Sequence, residues 1–155
     1  MIEIREARVE DCGQVLNLLT QLQNIHTEKR SDIFRSGQVA MNKEEFLAEL
    51  GKENEKTIVA ETEGKIIGMI VLKIIKVNNP ILQSRIVGLI DDFIVDSAYR
   101  KKGVGKELLD TARRIAIEKK VESLELNVWG FNESAIHFYM QNGLKVQRIT
   151  LEQKL

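Results

Sequence analysis

Residues 89–109 read LIDDFIVDSAYRKKGVGKELL. This stretch carries the strongest structural signals of the chain. The run from Ile86 to Val95 is almost wholly apolar, which predicts a strand covered on both faces. After a basic turn, a helix begins beside Gly103 and Gly105, whose missing side chains let the backbone approach a ligand closely. The first amides of that helix have no partner inside it, and its dipole favours an anion. The stretch therefore predicts a phosphate-binding turn.

Two well-known nucleotide loops do not fit this turn. A Walker A loop has a glycine five positions before its Gly-Lys pair and Ser or Thr after it, whereas this chain has Arg100 and Glu107 at those places. A Rossmann turn needs a third glycine where this chain has Leu108. Both loops are excluded.

The turn instead resembles the acetyl-CoA loop of the GNAT N-acetyltransferase superfamily, whose pattern is Arg/Gln-x-x-Gly-x-Gly/Ala between a strand and a helix. Residues 100–105, RKKGVG, match this pattern at every fixed position. A second motif of the family, Asn-x-x-Ala-x-x-x-Tyr ahead of a Gly-hydrophobic pair, recurs as Asn132, Ala135, Tyr139 and Gly143-Leu144. With two motifs on elements of the expected type, the chain is identified as a member of this superfamily.

The resemblance implies acetyl-CoA as co-substrate and no metal. In the family the loop amides hold the CoA pyrophosphate, basic residues flank it, and the pantetheine arm pairs with the fourth strand like an added strand. The residues that match these positions are Phe93, Ile94, Val95, Arg100, Lys101, Lys102, Gly103, Val104, Gly105, Lys106, Asn132 and Ala135. Asn132 also suits the N-cap of its helix, a role compatible with contacting CoA.

Three residues are candidate catalytic groups. Tyr139 matches the family tyrosine that reprotonates the CoA thiolate, although the apolar face of its helix also suits a core aromatic. Asp91 and Asp92 are adjacent carboxylates in an apolar strand, where neighbours face opposite sides, so we expect one to be nearly buried. A buried carboxylate is costly unless it is paired or does chemistry. The alternatives are a charge satisfied by arginine or backbone amides, or a pair exposed at a strand bulge.

These residues predict direct acetyl transfer to a primary amine. Asp91 or Asp92 would accept the ammonium proton, strand amides would stabilise the oxyanion, and Tyr139 would protonate the thiolate. The acidic pair resembles the Glu-Asp pair of polyamine and diamine acetyltransferases and, with Glu28 and Asp32, suggests a small cationic acceptor: a polyamine, diamine or amino-acid derivative. The alternatives are a protein or peptide amine, or a non-catalytic CoA-binding module.

The remaining sequence predicts an α/β fold of the GNAT type, with a mixed, mostly antiparallel sheet of six to seven strands flanked by four helices, in one domain spanning residues 1–155. A helix is expected from about Asp11 to Ile25, and Asn42 with Glu45 forms a capping box for the next one. The segment from Val146 to Leu151 is expected to be the last strand. His26 suits helix packing or the border of the acceptor site, and Trp129 suits the cleft or a subunit contact.

The overall composition is that of an ordinary soluble domain, with 43% hydrophobic residues and 23 basic against 23 acidic residues. This balance gives no argument for nucleic acid or a membrane as partner. The single Cys12, together with an N-terminus that has no apolar leader, predicts a cytoplasmic protein. Ile81, Leu82, Ile86 and the C-terminal strand are expected to form a homodimer contact.

Overall fold

One five-stranded sheet, in the order β1-β2-β3-β4-β5, organises the computed structural model, which describes residues 1–155. Neighbouring strands from β1 to β4 are antiparallel, and only β5 runs parallel to β4. The strands are β1 (Glu3–Glu6), β2 (Glu55–Thr62), β3 (Lys65–Val77), β4 (Arg85–Val95) and β5 (Ser123–Leu126). The helices are α1 (Cys12–Lys29), α2 (Lys43–Leu50), α3 (Val104–Glu118) and α4 (Glu133–Gln141), with 3-10 turns at Val9–Asp11 and Ser97–Tyr99.

The predicted fold class and its four helices are confirmed, but the sheet has five strands rather than six to seven. The expected last strand is wrong: no residue from Lys145 to Leu155 makes a backbone–backbone hydrogen bond. Val146, Ile149 and Leu151 are 62%, 75% and 89% exposed. The apolar alternation of this segment indicates strand propensity, but a strand also needs a neighbour to pair with, and within one chain none pairs with it.

Two hydrophobic cores lie on opposite faces of the sheet. One core packs α1 and α2, through residues such as Leu18 and Phe46, against Val59, Met69 and Val71. The other packs α3 against the opposite face. This second core includes Ile58, Ile70, Ile90, Leu108 and Leu109. Because side chains alternate along a strand, β2, β3 and β4 each direct some side chains toward α1 and α2 on one face and others toward α3 on the opposite face.

Specific polar contacts fix α1 over the sheet. The Gln14 side chain donates to the carbonyl of Gly64 at 3.2 Å and accepts from the Ile66 amide at 2.8 Å, which binds α1 to the β2–β3 turn. Arg5 donates to both carboxylate oxygens of Asp11 and so joins β1 to the turn before α1. At α2 the predicted capping box is present, because Asn42 and Glu45 each accept from the other's amide at 2.9 Å.

Candidate active site

The site begins where β4 and β5 separate. Their pairing ends at Ile90 and Leu126, whereas β4 stays paired with β3 as far as Val95, which faces Gly68. The outer edge of β4 from Asp91 to Val95 therefore has no strand beside it. An extended amide chain can pair with such an edge, as predicted for pantetheine at Phe93, Ile94 and Val95. The Arg100 Nε donates to the Val95 carbonyl at 3.1 Å and holds the following loop against the end of the strand.

The glycine loop has the geometry of an anion site. Gly103 is the N-cap of α3 with φ of +85°, a left-handed conformation that side chains rarely adopt, and no side chain caps the helix. The first intrahelical bond runs from the Glu107 amide to the Gly103 carbonyl at 3.1 Å. The amides of the first turn before Glu107 are therefore free for a ligand, and the helix dipole adds partial positive charge to them.

The other predicted cofactor residues of this loop divide into a buried and an exposed group. Val104 is buried in the core beneath the loop, so only its backbone can contact a ligand. A Cβ on Gly105 would lie 3.4 Å from the Phe138 ring, so the loop is packed closely on α4. Lys101 and Lys102 are exposed, and the Lys102 ammonium lies 5.2 Å from the Tyr99 ring centre.

Lys106, also exposed, pairs with Asp110 one turn along α3. The exposed cations give the mouth of the loop its positive charge. The assignment of the whole loop to CoA binding stays a prediction at the level of individual residues.

A bulge in β4 decides the position of the acidic pair. Ile70 pairs with Phe93 and Leu72 with Ile90, so two β4 residues lie opposite the single residue Val71. As a consequence Ile90 and Phe93 both pack on the α3 face although an odd number of steps separates them. Asp91 and Asp92 both project toward α1 and α2, which corrects the expectation that they face opposite sides of the sheet.

The two carboxylates have different electrostatic environments. Asp91 is 2.7 Å from the Lys73 ammonium, so its charge is neutralised, and this contact raises the pKa of Lys73. Asp92 forms no ion pair and accepts no hydrogen bond from another protein group, and Lys73 acts on it only at a distance. Burial raises the pKa of Asp92 from 3.8 to about 6, and the charge of Asp91 contributes to the rise. Asp92 is therefore a carboxylate that exchanges its proton near neutral pH.

Helix α4 contributes the residues of the second motif. The Asn132 Oδ1 accepts from the Ala135 amide at 3.3 Å and caps the helix, as predicted. The Tyr139 ring lies 6.0 Å from that of Phe93 and 5.5 Å from that of Phe138. Burial raises the pKa of Tyr139 to about 12, so its hydroxyl keeps its proton at any physiological pH.

One cavity of about 270 Å³ brings the candidate catalytic groups together. Asp91, Asp92 and Tyr139 all line it, beside the free edge of β4. The full lining is Leu22, His26, Phe34, Ile90, Asp91, Asp92, Phe93, Leu126, Asn127, Val128, Trp129, Asn132 and Tyr139. This arrangement places a proton acceptor and a proton donor around one space next to the anion-binding loop.

In the aromatic wall of this cavity, His26 and Trp129 take positions that the sequence offered as alternatives, whereas Phe34 was not predicted. His26 stacks on Phe34 at 5.1 Å between ring centres, and Phe34 lies edge-on to Trp129 at 5.5 Å. Helix α1 extends to Lys29, beyond the predicted end near Ile25, and so carries His26. The apolar pair Ile33-Phe34 in a polar loop was the only local signal. Burial lowers the pKa of His26, so its ring is neutral at pH 7.

A family model described as Acetyltransferase (GNAT) family matches residues 19–144. The chain belongs to this GNAT family. Its resemblance to solved structures extends over the whole length: a mutant of the BH1408 protein from Bacillus halodurans is 32% identical, with a TM-score of 0.94 and 99% of each chain covered. This GNAT member therefore shares its full architecture with a relative of 32% identity, well beyond the two motifs.

Two more distant GNAT-like structures agree in fold. An aminoglycoside acetyltransferase from an uncultured soil metagenomic sample is 17% identical, with a TM-score of 0.75 over 99% of this chain and 96% of that one. Glucosamine-6-phosphate N-acetyltransferase from Arabidopsis thaliana is 22% identical, with a TM-score of 0.73 over 99% and 98%. Family membership implies acetyl transfer dependent on an acyl-CoA.

None of the helices combines the length and apolar character needed to cross a lipid bilayer. The cytoplasmic location stays a prediction. No cluster of three or more His, Cys, Asp or Glu side chains is arranged to hold a metal ion.

Proposed function

We propose that this GNAT protein transfers the acetyl group of acetyl-CoA directly to a small primary amine. The observation that carries the proposal is the cavity in which the unpaired carboxylate of Asp92 and the protonated hydroxyl of Tyr139 lie beside the free edge of β4. The reaction needs a base for the amine and a hydrogen-bond donor for the leaving sulfur. The raised pKa of Asp92 suits a base, and the high pKa of Tyr139 keeps its hydroxyl protonated as a hydrogen-bond donor.

Asp92 is the general base. An alkylammonium has a pKa of about 10 and no lone pair, so it must lose one proton before it can attack. The carboxylate first attracts the ammonium and then accepts that proton, directly or through a water. Asp91 is less available to the amine because its carboxylate is held by the Lys73 ammonium at 2.7 Å. Its charge instead helps to raise the pKa of Asp92.

Tyr139 acts on the leaving group. The amine nitrogen bonds to the thioester carbonyl carbon, and free β4 amides stabilise the oxyanion. As the carbon–sulfur bond breaks, the Tyr139 hydroxyl donates its proton to the leaving thiolate. The nitrogen of the forming amide loses its second proton, which goes to the Tyr139 oxygen. A phenol of pKa about 12 does not protonate a thiolate of pKa ~8.5 unaided, because the gap corresponds to ~5 kcal/mol. The proton released by nitrogen is therefore part of the same step.

Direct transfer is favoured over a covalent enzyme intermediate. An acetyl-cysteine intermediate needs a thiol within the site, activated by a base. Cys12, the only cysteine, lies buried in the core between α1 and the sheet and does not line the cavity. The amine itself is therefore the nucleophile.

A small amine is favoured over a protein or peptide acceptor. The cavity of about 270 Å³ lies just below the ~300–1,000 Å³ typical of small-molecule sites. His26 and Phe34, from α1 and the loop after it, form part of its wall together with Trp129. A peptide chain needs an open groove that runs past the reacting nitrogen, and these rings stand in its way.

The deciding experiment measures thiol release from acetyl-CoA with a panel of amines, using wild type, Tyr139→Phe and Tyr99→Phe. Tyr139→Phe should slow single-turnover transfer by about 10²- to 10⁴-fold while CoA affinity is kept. Tyr99→Phe is the matched control, since the Tyr99 ring packs under lysines outside the cavity. Wild-type speed in Tyr139→Phe would refute the donor role. Release no faster than in buffer for every amine would instead favour a CoA-binding module.

A further inference from the structure

We infer that the acceptor is a compact monoamine with a flat apolar body, such as an arylalkylamine, rather than a polyamine or an amino sugar. The inference rests on the proposed function and narrows its substrate. It follows from two features of the cavity wall: the number of carboxylates that are free to meet a cation, and the chemical character of the surfaces around them.

The cavity offers one unpaired negative charge. Asp91 and Asp92 are the only acidic residues that line it, and Lys73 neutralises Asp91. Outside, Asp32 receives a two-pronged contact from Arg30 at 2.9 Å, and Arg30 also pairs with Glu152. Glu28, the other acidic residue expected near the acceptor, lies on α1 and does not line the cavity. Glu49 and Glu55, which share Lys73 with Asp91, do not line the cavity either, so Asp92 is the one carboxylate of the wall that is free to pair with an ammonium.

A second ammonium would enter without a partner. A buried unpaired charge is strongly unfavourable, because the ion loses its hydration and no opposite charge in the site compensates for that loss. His26 cannot help, since its ring is neutral and aromatic rather than anionic. The expectation of a polyamine or diamine depends on several acidic residues near the acceptor, but Asp91 and Asp32 are held in ion pairs and Glu28 lies outside the cavity.

The walls around Asp92 suit a flat apolar group. His26, Phe34 and Trp129 form a continuous run of rings on one side, and Phe93 and Tyr139 lie on the other. The neutral amide side chains of the wall are only Asn127 and Asn132, and the Asn132 oxygen already caps α4. The several hydroxyls of an amino sugar would lose water without finding partners, whereas a phenyl ring stacks well on these surfaces.

Phe34 is the residue that determines this specificity. It is the only side chain of the cavity lining that comes from the loop after α1, and it bridges His26 of α1 to Trp129 beyond β5. Shortening Phe34 removes stacking surface for the body of the amine and leaves Asp92 and Tyr139 unchanged. Its effect should therefore depend on what the amine carries beyond its ammonium.

The test compares kcat/KM for 2-phenylethylamine, butylamine, 1,4-diaminobutane, spermidine and glucosamine. We expect 2-phenylethylamine to exceed the diamine, spermidine and glucosamine by at least about tenfold. Phe34→Leu should lower kcat/KM about tenfold for 2-phenylethylamine, mainly through KM, and change it less than about twofold for butylamine. Phe131→Leu is the matched control, because Phe131 stacks on Trp129 but does not line the cavity.

The outcomes separate the two proposals. Preference for spermidine, 1,4-diaminobutane or glucosamine, or an equal effect of Phe34→Leu on both monoamines, would overturn the monoamine inference and leave the acetyltransferase function standing. Failure of all five amines, with acetyl-CoA still bound in a titration, would overturn the proposed small-amine transfer itself.

Discussion

Replacing Asp92 by asparagine keeps the shape of the side chain and removes both its charge and its basicity. Because its pKa is about 6, the carboxylate is ionised in about one molecule in ten at pH 5 and in about nine in ten at pH 7. Wild-type kcat/KM should therefore rise about tenfold between these pH values. This rise is the acidic limb of the pH profile. In Asp92→Asn the acidic limb should disappear, and kcat/KM at pH 8 should fall by about 10²- to 10⁴-fold.

The same substitution should stabilise the fold. A carboxyl whose pKa rises from 3.8 to about 6 on folding destabilises the native protein progressively as the pH rises through that window, by roughly 3 kcal/mol once fully ionised. The unfolding free energy of Asp92→Asn relative to wild type should thus increase between about pH 4 and pH 7 and then level off. Urea unfolding at several pH values measures this difference.

Asp91→Asn is the matched control for both measurements. Asp91 is paired with Lys73, so Asp91→Asn removes a half-exposed ion pair and should not stabilise the fold above pH 6. The rise of kcat/KM with pH, which reports ionisation of Asp92, should remain but move to lower pH, because the charge of Asp91 no longer raises the pKa of Asp92. Rates follow from thiol release and stabilities from urea curves. If Asp92→Asn kept more than a tenth of the activity with an unchanged acidic limb, or if Asp91→Asn abolished that limb, the assignment of the base would be wrong.

Three further predictions concern the loop, the charge of Asp91 and the C-terminal segment. Gly103→Ala forces a side chain into φ of +85° and should weaken CoA binding about tenfold by calorimetry, while Gly130→Ala, in open space, should not. Lys73→Met frees the charge of Asp91 and should raise the ratio of diamine to monoamine turnover several-fold; an unchanged ratio would contradict the charge argument. Ile149 and Leu151, exposed apolar residues of a C-terminal segment without backbone partners, should hold a second copy of the chain together. Light scattering should find a homodimer that the double change to glutamate dissociates and Ile117→Glu on α3 does not; a monomeric wild type would contradict this.

The exposed Ile81 and Leu82, at 89% and 52%, lie beyond β3 in the loop that leads into β4, at the other predicted contact surface. Ile86 is half-buried in β4 and is less available to a second copy. The homodimer stays a prediction. Of its two candidate surfaces the C-terminal segment has the stronger support, because its backbone groups lack partners and Ile149 and Leu151 are exposed, although Glu152 and Lys154 form ion pairs with Arg30 and Asp32.

The sequence alone determined the local elements and the family. A glycine pair after an apolar run, a capping box at Asn42 and Glu45, and the Asn132 cap of α4 are signals confined to a few neighbouring residues, and each depends on backbone chemistry that acts over one helical turn. For that reason the loop, the helix starts and the order of the elements as far as α4 were predictable before any contact was known, whereas the last strand was predicted wrongly because a strand also needs a partner.

Only the tertiary structure decided what the acidic pair does. Asp91 and Asp92 are chemically identical in the sequence, and their roles separate because the register of β3 against β4 creates a bulge, which turns both toward α1 and α2. Lys73, distant in sequence, then neutralises one of them, while burial raises the pKa of the other. The aromatic wall arises in the same way, from three separate segments that meet only in the fold. Strand register, burial and charge pairing are long-range properties, so the sequence could name Asp91, Asp92 and Tyr139 as candidates but could not tell which carboxylate is unpaired or that Phe34 joins His26 to Trp129.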